Sequence, residues 1–142
     1  MKNVLKYFFI FLLFLACICT SAFRWGNIGD KGVQLYFSIQ PIQKNNINNV
    51  GRVFRAGDRV YYLLTSPKDF RDEYLRIQIV KKEQKTNQWG YKLYRTRDVH
   101  IGSGQREFMS YFVINEPGYY FVQIFSFDDF DRVVARNDFW IK

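Results

Sequence analysis

Hydrophobic positions after residue 32 recur in short runs, and turn residues separate these runs at regular spacing. Residues 74–82 alternate most clearly, with Leu75, Ile77 and Ile79 on one face, as in a strand with one buried side. No later run keeps a helical period, so the sequence predicts an all-β domain, apart from one helical turn after Ser66-Pro67. The predicted strands are 33–39, 52–54, 59–64, 74–82, 89–96, 107–114, 118–126 and 132–141.

The first 22 residues follow a different pattern. Lys2 and Lys6 precede an uninterrupted apolar run at 7–19. This run is shorter than the roughly 20 residues that a membrane-spanning helix needs. A basic start followed by a short apolar run predicts a secretory signal peptide at 1–22.

Two cleavage sites compete within this segment. Leu15-Ala16-Cys17 resembles a lipobox, which implies cleavage before Cys17 and lipidation of that residue. Thr20-Ser21-Ala22 fits ordinary signal peptidase, which would release a soluble chain after Ala22. Both alternatives predict an exported bacterial envelope protein, periplasmic or at the cell surface, and the first adds a membrane anchor through the N-terminal lipid. Residues 23–32 are predicted to be a tether to a domain at 33–142.

A motif at 116–122 has the spacing of a corner between two strands. Glu116, Gly118, Tyr120 and Val122 follow one another at intervals of two residues. The pattern resembles the E–F corner of immunoglobulin-like domains, where a buried tyrosine bonds through its hydroxyl to the backbone upstream. The resemblance implies an immunoglobulin-like antiparallel β-sandwich of seven to eight strands, of the kind found in bacterial exported modules.

The motif departs from antibody-type domains at Val122, which stands where those domains place a cysteine. The two cysteines of the chain, Cys17 and Cys19, both lie in the signal segment. No disulfide is therefore expected within the sandwich. The resemblance does not select a function, because such sandwiches serve adhesion, chaperoning, scaffolding and carbohydrate recognition alike.

Candidates for catalysis and metal binding are weak, so we expect no enzyme and no cofactor. His100 is the only histidine, and its neighbour Ser103 in a glycine-rich loop does not make a nucleophile and base pair. Asp128, Asp129 and Asp131 are the only acid cluster. Their spacing does not match a calcium loop, so a turn between two strands is the preferred interpretation and a cation site the alternative.

The basic charge favours anionic partners. The formal net charge is +8, and Lys2 and Lys6 contribute two of these charges, which leaves +6 for the rest of the chain. Export argues against nucleic acid. Five cations gather on one predicted hairpin, which is either a solvated rim or a patch for an anionic surface: Lys81, Lys82, Lys85, Arg95 and Arg97.

The last two predicted strands suggest a binding surface. If they form a hairpin in which Phe125 pairs with Val134, alternation places one set of side chains on the outer face whenever Tyr120 points inward. This set is Tyr119, Phe121, Phe125, Arg136 and Trp140. Exposed aromatic surface with arginine is typical of a binding site. A bulge that inverts the register, or cover by Trp25 of the tether, would remove the surface.

Two functions fit this pattern. One is a protein-interaction or scaffold module of the cell envelope that uses the aromatic face. The other is a carbohydrate-binding module, in which aromatic side chains stack on sugar rings, with Trp89, Tyr91 and Tyr94 as further candidates. Few polar side chains surround the predicted face to grip sugar hydroxyls, which favours an envelope protein over a glycan.

Overall fold

The computed structural model describes residues 29–43, 45–47, 50–83 and 90–142. The predicted signal peptide, the lipidation candidate Cys17, Trp25, Lys85 and Trp89 lie outside these residues. No α-helix occurs in the described part of the chain, and none of it is a helix long and apolar enough to cross a membrane. The strands are β1 (Gln34–Ser38), β2 (Val53–Phe54), β3 (Arg59–Thr65), β4 (Tyr74–Lys82), β5 (Tyr91–His100), β6 (Glu107–Val113), β7 (Gly118–Ser126) and β8 (Val133–Ile141).

The strands form two sheets, one with the order β1-β3-β6 and one with the order β2-β8-β7-β4-β5. The predicted all-β sandwich of seven to eight strands is confirmed, and each predicted strand has its counterpart. Neighbouring strands are antiparallel except β2, which pairs with β8 in parallel over two residues. The fifth strand runs to His100, four residues beyond its predicted end.

The predicted helical turn after Ser66-Pro67 is wrong, because residues 66–70 contain only a bend at Pro67 and Lys68. The backbone N–H of Ser66 donates to the carbonyl of Arg106 at 2.8 Å. The N–H of Phe70 donates to the carbonyl of Gln105, also at 2.8 Å. These N–H groups bond to the loop before β6, so they do not form the hydrogen bonds of a helix.

Aromatic rings join the two sheets across the core. Phe139 of β8 contacts Phe37 of β1 and Phe112 of β6, with ring centroids 5.0 and 5.2 Å apart. All three side chains are buried. Since the sequence holds no cysteine after residue 19, this packing does the work that a disulfide does in antibody-type domains.

Tyr120 forms the hydrogen bond that the corner motif predicts. Its hydroxyl donates to the backbone carbonyl of Glu116 at 2.8 Å, and its fully buried ring stacks on Phe139. Burial raises the pKa of Tyr120 far above its usual value, which keeps the hydroxyl protonated as a donor. The φ angle of Gly118 is +151°, a backbone conformation that residues with a side chain rarely adopt, so this position favours glycine.

Removing the Tyr120 hydroxyl tests the corner. We expect Tyr120→Phe to lower the free energy of unfolding by about 1–3 kcal/mol, because the Glu116 carbonyl loses its donor. Urea denaturation measures the change. Tyr74→Phe is the matched control, since Tyr74 is exposed and its hydroxyl makes no hydrogen bond within the described residues. Equal stability of the two variants would contradict a structural role for the corner bond.

Candidate functional site

The register of β7 and β8 follows the prediction over most of its length. Tyr119 pairs with Trp140, and Phe121 pairs with Asp138. The predicted pairing of Phe125 with Val134 is wrong, because a bulge between Ile124 and Phe125 shifts the register so that Phe125 pairs with Val133. The carbonyl of the extra residue, Val134, turns to the sheet edge and accepts the N–H of Asp30 at 2.9 Å.

Phe121 lies on the outer face as predicted, but the expectation that it is exposed is wrong. Only 6% of its surface is accessible. The guanidinium of Arg136 lies over the ring at 3.9 Å, and Tyr91 meets it edge-on at 5.7 Å. This ring therefore stabilises the outer face and is not accessible to a partner.

Phe125 belongs to a different part of the face. It is half-buried and pairs with Arg76 of β4, at the end of β7 opposite to Tyr119. Asp98 holds the Arg76 guanidinium through two hydrogen bonds of 2.8 and 2.9 Å, and the guanidinium covers Phe130 at 4.5 Å. The hydrogen bond from Arg76 lowers the pKa of Asp98. The four aromatic side chains predicted to share one surface thus divide into two groups.

A single row of side chains crosses all five strands at the Tyr119 end of the outer face. Strand pairing places its members side by side, and we call them the Trp140 row: Tyr91, Lys82, Tyr119, Trp140 and Val53. Val53 and Trp140 are 54% and 50% exposed. With strands about 4.8 Å apart, the row spans roughly 19 Å. Leu93, 55% exposed on β5, extends its apolar surface.

Charged groups flank the apolar part of the Trp140 row, which consists of Tyr119, Trp140 and Val53. Lys82 is exposed on one side of it. Arg52 pairs with Asp138 at 3.5 Å, beside Trp140. Partial burial, followed by the charge and hydrogen bond of Asp138, raises the pKa of Tyr119. The Tyr119 and Trp140 rings are 4.9 Å apart and inclined at 52°. An apolar centre with aromatic rings and a charged rim is the arrangement found in protein interfaces.

The candidates for a metal site, a catalytic site and a basic patch are not brought together by the fold. Asp129 accepts the N–H of Asp131 within the turn between β7 and β8, where Asp128 is exposed. No group of three or more acidic, histidine or cysteine side chains suitable for a metal forms among the described residues. His100 is exposed, and its ring contacts Tyr74 at 4.9 Å. Lys81 does not join the predicted basic patch, because its side chain is largely buried and pairs with Glu116, and Lys85 lies outside the described residues.

The sequence analysis missed an aromatic surface on the outer face of the three-stranded sheet. Tyr36, Tyr61, Tyr111 and Met109 lie there, and the last two are 49% and 44% exposed. The alternation of side chains within β3 and β6 already indicates that Tyr61 shares a face with Leu63, and Met109 with Tyr111. The surface was missed because β1, β3 and β6 are not consecutive in the chain, so sequence order alone does not place their side chains side by side.

No protein-family model matches the sequence, and no curated protein matches it. Among solved structures, the chain resembles part of a β-glucosidase from Listeria innocua in complex with gluconolactone. The sequence identity is 11% and the TM-score 0.42 over 77% of this chain, which corresponds to 16% of the enzyme. A likeness this low supports no inference about function.

The exposure of the outer face can be tested by two truncations. Phe121→Ala should lower the free energy of unfolding by about 3 kcal/mol, because it empties a buried site beneath Arg136. Trp140→Ala should lower the free energy of unfolding by about 1 kcal/mol, since half of that side chain is already exposed to water. Chemical denaturation compares the two variants. A larger loss for Trp140→Ala would mean that the assignment of buried and exposed rings is inverted.

Proposed function

We propose that this protein is a non-catalytic module of the bacterial cell envelope that binds a protein partner through the Trp140 row. The observation that carries the proposal is the row itself, in which Val53 and Trp140 are half-exposed beside Tyr119 on the five-stranded sheet. Trp, Tyr and Arg dominate the energetics of protein interfaces. Trp140 and Tyr119 belong to the row and Arg52 lies at its rim, so all three residue types are present.

Export is part of the proposal, and its support comes from the sequence. The basic start and short apolar run at 1–22 favour a signal peptide, with lipidation of Cys17 as the anchoring alternative. Membership of the immunoglobulin-like superfamily is likewise proposed. It is supported by the hydrogen bond from Tyr120 to the Glu116 carbonyl. Such sandwiches commonly serve as interaction modules.

A glycan-binding module is the second candidate, and one observation favours the first over it. Stacking on a sugar is best served by rings that lie in one plane, whereas Tyr119 and Trp140 are inclined at 52°. Tyr94 is not available as an extra platform, because its ring packs edge-on against Tyr120. The tilted, uneven surface fits the irregular side chains of a protein better than a flat sugar ring.

Photocrosslinking in the cell tests the proposed interface. A crosslinker at Val53 should give a discrete band that mass spectrometry identifies as one envelope protein. Trp140→Ala in the same background should reduce the band about tenfold, because it removes the central contact of the row. Tyr111→Ala, which truncates a half-exposed aromatic side chain on the other sheet, is the control and should leave the band unchanged.

Two results would contradict the proposal. The absence of a band from a folded protein would mean that no protein contacts the row. Specific binding on a glycan array that is lost with Trp140→Ala would assign the row to a carbohydrate.

A further inference from the structure

Strand β5 forms one edge of the five-stranded sheet, because β4 is its only neighbour in the strand order. It has ten residues, more than any other strand in the described part of the chain, and eight of them are exposed. The exposed residues lie on both faces of the strand. A long strand with an unpaired edge is a template to which another chain can add.

Three consecutive alternate residues of β5 direct their backbone groups away from β4. The N–H of Ile101 donates to the carbonyl of Glu73 at 2.8 Å, so the backbone groups of Ile101 point towards β4. Because the backbone groups of successive residues in a strand point to opposite sides, those of Thr96, Asp98 and His100 point to the open side. They find no hydrogen-bond partner in the part of the chain that the structure describes.

The space beside β5 is also open on the inner side of the sheet. Arg95 and Arg97 pair with two buried isoleucines of β4. Since the side chains of directly paired residues lie on the same face, both arginines project from the face that carries the core. Both are nevertheless exposed. The three-stranded sheet therefore does not cover this part of β5, which leaves room for one more strand beside it.

The charge of β5 selects the kind of chain that can add. Its one carboxylate, that of Asp98, is already bound by an arginine of β4. The Lys92 amine lies 3.8 Å from the carboxylate of Glu83. Arg95 and Arg97 make no ion pair within the described residues. A second copy that added through the same edge would bring a second set of these cations to the interface, whereas carboxylates would be attracted to it.

We propose that the edge of β5 binds an extended acidic segment of a protein partner, which adds as an antiparallel strand along Thr96, Asp98 and His100. The backbone of the segment pairs with these three residues. Arg95 and Arg97 then take part in non-hydrogen-bonded pairs, in which opposite side chains are closest, so carboxylates at the two facing positions form ion pairs across the strands. The site lies outside the Trp140 row and does not depend on the function proposed for that row.

Peptide binding to the full chain tests the proposal. The probe is a fluorescent peptide with the sequence Val-Glu-Thr-Glu-Val, whose two carboxylates have the spacing of the two arginines. We expect saturable binding by fluorescence anisotropy. Methylation of the backbone nitrogen of the central Thr should abolish binding, because that N–H points at the edge of β5. Methylation of the first Glu nitrogen should leave binding unchanged, since that N–H points away from the edge.

Charge reversal on the protein gives an independent test. Arg97→Glu should weaken binding about tenfold, because it replaces an attraction to the probe by a repulsion. Lys31→Glu, the same change of net charge at an exposed lysine before β1, is the control and should leave the affinity unchanged. Equal affinities of the two variants would overturn the proposal, because the attraction would then depend on net charge alone.

Hydrogen exchange locates the added strand. In the free protein the amides of Thr96, Asp98 and His100 should exchange faster than those of Arg97 and Val99, which bond to β4. The probe should slow the exchange of the first three amides. Absence of this protection, or protection at the Trp140 row in its place, would overturn the proposal. Protection of the same three amides in concentrated protein without the probe would also overturn it, in favour of a second copy on this edge.

Discussion

The ring of Tyr120 is fully buried between the sheets, while its hydroxyl still has to find a hydrogen-bond partner. The Glu116 carbonyl supplies that partner four residues upstream, and Phe139 packs flat against the ring. A slip of β7 by one residue would bury Tyr119 and break this bond, so the register is strongly constrained. The position of Trp140 beside Tyr119 on the outer face follows from the same constraint.

Local patterns predicted much of this fold. The alternation of Leu75, Ile77 and Ile79 set the limits of β4 correctly, and all three side chains are buried. The corner motif identified which side of β7 faces inward. The assumed pairing of Phe125 with Val134 is wrong, but the register derived from it, with Tyr119 opposite Trp140, holds from Ile124 towards the start of β7 because the bulge is confined to the end near the turn.

What sequence patterns did not predict depends on contacts between distant residues. The bulge at Val134 is fixed by Asp30, which comes from about a hundred positions earlier in the chain. The parallel pairing of Val53 with Trp140 has a similar origin, since two residues carry too little periodicity to reveal a neighbour. The burial of Phe121 also results from tertiary contacts. No pattern within β7 shows that Arg136 and Tyr91 will meet over its ring.

Arginine side chains lie over aromatic rings at three places on the outer surfaces, but they bury the ring at only one of them. Arg136 lies over Phe121, Arg76 over Phe130, and Arg59 over Tyr111 at 4.5 Å. Each such contact contributes about 0.5–1 kcal/mol at an exposed site. Phe121 is only 6% accessible beneath its arginine, whereas Tyr111 and Phe130 remain 49% and 48% exposed. Among the described residues no cation lies over Trp140, and its neighbour Arg52 turns to Asp138 instead. A partner that covers Trp140 therefore displaces no cation from this ring, whereas a partner that covers Tyr111 or Phe130 first meets an arginine.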